Sequence, residues 1–292
     1  MIDSYIALDL ETTGLNPAYD RIIEIGMAKV EQGNVAATYS TLINPGITVG
    51  ERVVELTGIH NNELTDKPRI EDEIRNILDF IGDYPILGHN IIFDYSFLKK
   101  AAINNNITFS VKGIDTLKMA RRILPELEHK KLDYLCEYLK VDPGSSHRAL
   151  DDALSASAIY WKMYQIKADD SGFETAADLV YNVKKDSPIT EAQKNYLTAL
   201  VKKHNIVLDI PVEEMTKSIA SRNIDRIISE YGNGFMRLLG LLHCFAMEQA
   251  FFYTLIIKQI YNQLFVDRLN HGSILSELVY FFCMILAYIY IL

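Results

Sequence analysis

Cysteine is scarce in this chain, and its three copies, Cys136, Cys244 and Cys283, lie far apart. An odd, scattered set excludes a disulfide framework and lacks the paired spacing of a zinc site, which fits a reducing, cytoplasmic setting. A basic excess is missing as well. The 292 residues carry a net charge of −9. Residues 1–167 hold 18 Lys+Arg against 24 Asp+Glu, and residues 168–233 hold 8 against 11. Those balances exclude a broad cationic face of the kind that grips duplex DNA, so a nucleic-acid contact here is expected to be small and aided by bound cations. There is no signal-peptide pattern, because Asp3 and Ser4 lead straight into an apolar strand. There is no internal repeat. The run of fifteen apolar residues at 278–292 falls short of the ~20 that a spanning helix needs.

What is present reads as a globular α/β protein. Apolar content of 49% and charged content of 23% are ordinary, and the length allows one good-sized domain plus something smaller. Strands are expected near 5–10, 22–31 and 35–43, with Gly14-Leu-Asn-Pro17 and Gln32-Gly-Asn34 as turns. The apolar spacing of Ile70, Ile74, Ile77, Leu78 and Ile81 predicts a helix. A short strand at 85–88 and helices near 93–102, 116–123, 132–139 and 148–166 follow. Three leading strands followed by alternating elements imply a mixed sheet flanked by helices. The expected organisation is a domain at 1–167, a linker at 168–187, a small helical module at 188–233 and an apolar tail at 234–292. That tail holds only six Asp, Glu, Lys or Arg. It reads equally as a membrane anchor, a packing or dimerisation helix, or sequence from a shifted frame. The lack of a flanking Lys/Arg cluster weakens membrane association.

Five residues carry the chemistry. In Tyr5-Ile-Ala-Leu-Asp-Leu-Glu-Thr-Thr-Gly14, Asp9 and Glu11 are two apart on a strand and so share one face. Two carboxylates on an otherwise apolar strand repel each other and lose hydration, so a proton or cation must compensate. Hard oxygen ligands of this kind suit Mg²⁺ or Mn²⁺. Asp94 follows His89-Asn-Ile-Ile-Phe93 where a strand gives way to a helix, and the partial positive charge of a helix's first turn favours a carboxylate. In His147-Arg-Ala-Leu-Asp-Asp152, five residues turn a helix through ~500°, so His147 belongs to the preceding Pro143-Gly-Ser-Ser146 loop and Asp152 to the helix. Asp152 would share a face with Ala149 and Ala156, whose small size lets that helix approach the first strand, while Asp151 turns ~100° away toward solvent. Several carboxylates that hold two cations ~3.5–4 Å apart, with a histidine as base, are what phosphodiester hydrolysis needs.

Asp9-Leu-Glu-Thr-Thr-Gly-Leu15, His89-Asn-Ile-Ile-Phe-Asp94 and His147-Arg-Ala-Leu-Asp-Asp152 resemble the three motifs of the DEDDh 3′→5′ exonucleases, over roughly residues 1–166. That family includes the epsilon subunit of bacterial DNA polymerase III and the exonuclease domain of the Gram-positive replicative polymerase. The resemblance implies a ribonuclease H-like fold with a five-stranded mixed sheet and two Mg²⁺ or Mn²⁺ ions. Asp9, Glu11 and Asp152 would hold one ion, and Asp9 with Asp94 the other. His147 would be the general base. It further implies that Thr12, Thr13 and Leu15 meet the 3′-terminal nucleotide, with Leu15 as a wedge and Asn90 and Phe93 in the same pocket. Thr57-Gly-Ile-His60 resembles a family loop near that terminus, which makes Thr57 and His60 candidate contacts. His89 reads as a strand-end hydrogen-bonding residue, and Arg121-Arg122 as a solvated helix face.

The segment at 188–231 resembles a SAP-type helix–extended–helix unit, in which Lys194, Lys202, Lys203, Lys217, Arg222 and Arg226 could touch phosphates. An acid-balanced hairpin packed on the nuclease is the alternative. The implied activity is 3′→5′ hydrolysis of single-stranded or frayed DNA ends to nucleoside 5′-monophosphates, in replication proofreading or repair. A replicative polymerase subunit is the implied partner, since the residues after 167 are too few to hold a polymerase. The competing readings are an RNA- or oligonucleotide-trimming enzyme of the same fold, and a non-catalytic replisome or nucleic-acid-binding module.

Overall fold

The computed structural model describes residues 1–145 and 147–231. A compact unit runs from Met1 to Arg226. The tail at 234–292, with its three readings, lies outside the described residues, as do Cys244 and Cys283. Among the described residues no helix is long and apolar enough to cross a membrane.

The sheet is built from β1 (Tyr5–Thr12), β2 (Ile22–Glu31), β3 (Asn34–Leu42), β4 (Ile86–Gly88), β5 (Lys112–Asp115) and β6 (Ala177–Asp178), in the order β3-β2-β1-β4-β5-β6. β1 is central, antiparallel to β2 and parallel to β4, which in turn is parallel to β5. The helices are α1 (Glu51–Thr57), α2 (Asn61–Leu64), α3 (Ile70–Ile81), α4 (Ile92–Asn104), α5 (Thr116–Ile123), α6 (Leu132–Leu139), α7 (Ala149–Ile166), α8 (Glu191–His204) and α9 (Lys217–Tyr231).

Alternation along β1 divides the core. Ile6, Leu8 and Leu10 face a layer that includes Ile74, Ile77, Tyr95 and Leu98 of α3 and α4. Tyr5 and Ala7 face the opposite layer, with Met119, Leu135, Ala153, Ala156 and Tyr160 of α5, α6 and α7. The period of 2 then puts Asp9 and Glu11 on the α7 side. Small residues bring α7 down onto that face. Ala149, Ala153 and Ala156 are fully buried. A Cβ on Gly26, opposite Asp9 in the ladder, would lie 2.0 Å from the backbone nitrogen of Leu150. Long side chains at these positions would hold the helix off the strand.

The sheet exceeds the expected five strands by one, the two-residue β6, which pairs antiparallel with β5. So short a strand leaves no periodic signal in a sequence. It comes from the segment expected as a linker, and that segment is tied down. Leu179 packs over Gly113. Lys100 of α4 donates to Asp186 at 2.6 Å and to the carbonyl of Lys184 at 2.7 Å, and Asn104 donates to Asp186 at 3.0 Å. α8 begins at Thr190, whose hydroxyl accepts from the backbone of Gln193 in a reciprocal capping box.

Gly26→Ala tests the close approach of α7. The added methyl has backbone on its far side, so relief requires the helix to move. We expect a loss of about 3 kcal/mol, read as a lower midpoint in urea; an unchanged midpoint would mean that α7 does not sit this close.

Candidate active site

The C-terminal ends of β1, β4 and β5 meet at one edge of the sheet, where open α/β folds present ligands. A cleft of about 670 Å³ opens there, and Asp9, Glu11, Asp94, His147 and Asp152 all line it. Asp94, in the first turn of α4, reaches across to β1 and accepts from the backbone of Leu10 at 3.0 Å. Asp152, in the first turn of α7, accepts from the backbone of His147 at 3.1 Å. Glu11, His147 and Asp152 each bring a ligand atom within 4.8 Å of the others.

The electrostatics are those of charge without enough counter-charge. Desolvation, followed by repulsion from Asp94, Glu11, Asp152 and Glu24, holds the Asp9 carboxyl well above the usual carboxylate range. Desolvation first, then Asp152 and Glu24, pushes Glu11 up to about 8. Asp94 is raised to about 8, mainly by burial and against its backbone hydrogen bonds. Asp152 is raised to about 6, again by burial, with the backbone hydrogen bond from His147 and the His147 ring opposing. Carboxylates raised together are the donor set for which a hard divalent cation is the natural partner. Oxygen donors with one histidine nearby fit Mg²⁺ or Mn²⁺ and do not resemble a thiolate zinc site.

Two supports carry weight that the sequence did not disclose. Glu24, almost wholly buried on β2, accepts from Arg148 Nη2 at 2.8 Å, from Arg148 Nε at 3.1 Å and from the backbone of Ala149 at 3.1 Å. It thereby pins the start of α7 to the sheet beside Glu11, its partner in the ladder. Asp151, expected to meet solvent, is partly exposed and also accepts from the backbone of Ser145 at 2.9 Å. The two aspartates thus hold both sides of the loop carrying His147, whose φ of 63° is one that histidine tolerates better than most side chains. Nothing local in the sequence joins Glu24 to Arg148, 124 positions away. The hint was an acidic residue set among isoleucines, in Ile22-Ile-Glu-Ile25.

The expected substrate contacts divide. Asn90 and Phe93 line the cleft. Asn90 sits at φ 68° with its N–H donated to Asp115 at 3.2 Å, and Phe93 packs on Phe97 with centroids 5.0 Å apart. Thr12 ends β1 and Thr13 and Leu15 follow it, all three outside that lining. The Thr12 hydroxyl donates to the carbonyl of Gly14 at 2.6 Å, the Thr13 hydroxyl accepts from the backbone of Arg21 at 2.9 Å, and Leu15 is 84% exposed. Thr57 and His60 are elsewhere. Thr57 is buried, and its hydroxyl is engaged by Val53 and Ile59. His60 is exposed and caps α2. A likeness in a loop gives no side-chain direction, so this division was not readable in advance. His89 is a strand-end hydrogen-bonding residue, with Thr116 on Nδ1 at 3.0 Å and the carbonyl of Lys130 on Nε2 at 2.7 Å.

Sheet order and strand directions are those of a ribonuclease H-like fold, with an acidic cleft at the C-terminal ends of its strands. The RNase_T exonuclease model matches residues 6–160; the chain belongs to that exonuclease family. Among curated proteins it is 33% identical over 175 residues to the PolC-type DNA polymerase III of Caldanaerobacter subterraneus subsp. tengcongensis, covering 60% of this chain and 12% of that polymerase. It is 36% identical over 166 residues to the PolC-type DNA polymerase III of Thermotoga maritima, covering 56% and 12%. The chain therefore spans about an eighth of the length of these relatives. Among solved structures, the fold resembles that of Escherichia coli exonuclease I in its zinc-bound complex with single-stranded DNA, at 18% identity and a TM-score of 0.51 over 58% of this chain and 42% of that one. It also resembles the nuclease domain of 3′hExo, a DEDDh family member bound to rAMP, at 20% identity and a TM-score of 0.50 over 62% and 97%.

The raised carboxyls make stability depend on pH in a definite direction. Each keeps its proton to higher pH in the folded chain than in the unfolded one, so the folded state binds more protons. In metal-free protein the contribution is full below about pH 4 and is lost as pH rises through about 6 to 8. We expect the melting temperature in EDTA to fall from pH 5 to pH 8, and added Mn²⁺ to raise it most at pH 8. A metal-free melting temperature flat across that interval would refute the uncompensated cleft.

Proposed function

We propose that this chain is a metal-dependent 3′→5′ exonuclease that hydrolyses single-stranded or frayed DNA ends to nucleoside 5′-monophosphates, in replication proofreading or repair. The supporting observation is the convergence of Asp9, Glu11, Asp94, His147 and Asp152 on one cleft whose carboxyls are raised by burial and mutual repulsion. In this reading Asp9, Glu11 and Asp152 hold one Mg²⁺ or Mn²⁺, and Asp9 with Asp94 holds a second. When bound, the cations supply charge that stabilises the oxygens of the phosphoryl group in the transition state. His147 takes the proton from the attacking water, and an imidazole is suited to that at neutral pH. Asp152 and Asp151 set the loop from which it acts. Asn90 and Phe93 orient the terminal nucleotide, reading sugar and phosphate rather than sequence.

The PolC-type relatives are DNA polymerases, which favours a proofreading or repair setting with a replicative polymerase subunit as partner. The chain covers only a small part of each, so the pairing is part of the proposal. The helical unit at 188–231 is more sparingly cationic than its sequence suggests. Arg222 is committed to Asp20 at 2.9 Å and to the face of Tyr19, and Lys194 stands 3.8 Å from Glu213. That supports packing on the nuclease over phosphate binding for this unit.

The test is digestion of 5′-labelled DNA and RNA oligomers of one sequence, and of matched and mismatched primer–templates, with Mg²⁺ or Mn²⁺. We expect stepwise loss of 3′ nucleotides and faster removal of a mismatched end. Asp9→Ala should abolish hydrolysis with the circular dichroism spectrum intact; hydrolysis at the parental rate would overturn the metal assignment. His147→Ala should lower kcat by about 10²–10⁴. If both proteins had the same rate at every pH from 6 to 9, His147 would not be the base. A preference for RNA ends would favour the RNA-trimming alternative.

A further inference from the structure

We propose that Arg121 and Lys131 form a cationic rim on the cleft that the carboxylates line, and that this rim holds backbone phosphates of a single strand on the 5′ side of the scissile bond. The inference rests on the exonuclease reading and specifies how that site retains a polyanion.

Both residues line the cleft, Arg121 from the last turn of α5 and Lys131 from the position before α6. Both are exposed, and neither side chain has an ion-pair or hydrogen-bond partner among the described residues. Their cationic neighbours are used otherwise. Arg122 is paired with Asp170, Lys118 stands 3.8 Å from Asp115, and Lys130 Nζ donates to the carbonyl of Leu127. Thus Arg121 and Arg122, adjacent in sequence, do different things: one braces the segment after α7 while the other faces the cleft. Two acids share this wall, Glu128 and Asp133; Glu128 lies 4.0 Å from His129.

The rim is held in place. The carbonyl of Lys130 accepts from His89 Nε2–H at 2.7 Å, and His89 Nδ1 meets the Thr116 hydroxyl at 3.0 Å. The segment before α6 is thereby tied to the end of β4, one residue from Asn90. Leu132 packs on the core beneath. The physical need is plain: a chain of net charge −9 with an acidic cleft floor repels a polyanion. Cations lining the same cleft offset that repulsion, and contacts closer than the ~8–10 Å over which salt screens charges keep most of their strength. A cation on a phosphate reads no base, which suits an enzyme that removes whatever nucleotide is last.

The experiment compares the parent with Arg121→Ala, Lys131→Ala, the double variant and Arg121→Lys. Two substrates are used with Mn²⁺: a single-stranded thymidine 12-mer, and the p-nitrophenyl ester of thymidine 5′-monophosphate, which has no upstream phosphate. For the 12-mer we expect KM to rise roughly two- to fivefold for each alanine and more for the pair, as exposed ionic contacts give, with Arg121→Lys near the parent. The slope of log(kcat/KM) against log salt should become shallower by about 0.7 for each cation removed. KM for the ester should shift less than either. An unchanged KM and salt slope on the 12-mer in the double variant, or an equal loss on the ester, overturns the rim alone. A parent inactive on both substrates overturns the exonuclease reading, and the rim with it.

Discussion

Four carboxylates crowded at one end of a sheet are the constraint around which this fold is arranged. Each loses hydration and each repels the others, so the isolated cleft is a site of unfavourable energy that protonation or a cation must relieve. The surroundings hold that arrangement without neutralising it. Backbone N–H groups of Leu10 and His147 fix Asp94 and Asp152 while leaving other oxygens available. Arg148, at the start of α7 beside the cleft, is turned to Glu24. A guanidinium among the carboxylates would satisfy them and remove the need for a metal. Diverting Arg148 to a buried acid one strand away keeps the demand for divalent charge intact.

The same constraint explains the small residues. Asp152 reaches β1 only because Ala149, Ala153 and Ala156 meet a surface made of Ala7, Gly26 and Ala28. The packing that buries apolar area between α7 and the sheet also sets the separation between Asp152 and Glu11. Core and site are therefore one interface along α7, with its first turn in the cleft and the rest in the core.

Much of this was legible in the sequence, for physical reasons. Asp9 and Glu11 share a face because strand periodicity is 2, and an apolar strand identifies the buried central position. His147 had to precede the helix because ~500° of helical rotation would have parted it from Asp152. What escaped depends on tertiary partners. Glu24 reads as a flaw in the apolar run Ile22-Ile-Glu-Ile25 until Arg148 is set beside it. Helical phase turns Asp151 toward solvent but says nothing of the Ser145 amide that it also receives. β6 and the tie from Lys100 to Asp186 leave no periodic signal, since one is two residues long and the other joins positions 86 apart. Thr57 and His60 were carried by likeness alone, and side-chain direction in a loop follows from neighbours that likeness does not specify.

The helical unit extends the same logic to the turn after β1. Leu15 lies in that turn and is exposed. The turn is instead organised from Asp20, which accepts from the backbone of Asn16 at 2.9 Å and lies so close beneath Gly14 that a Cβ there would meet its carboxylate at 2.5 Å. Asp20 in turn receives Arg222 from α9 at 2.9 Å, while the same guanidinium covers Tyr19. A cation that its sequence offers as a phosphate ligand is thus spent bracing the turn that follows the catalytic strand. Asp20, which accepts from that turn's backbone, is thereby tied to a residue 202 positions away along the chain.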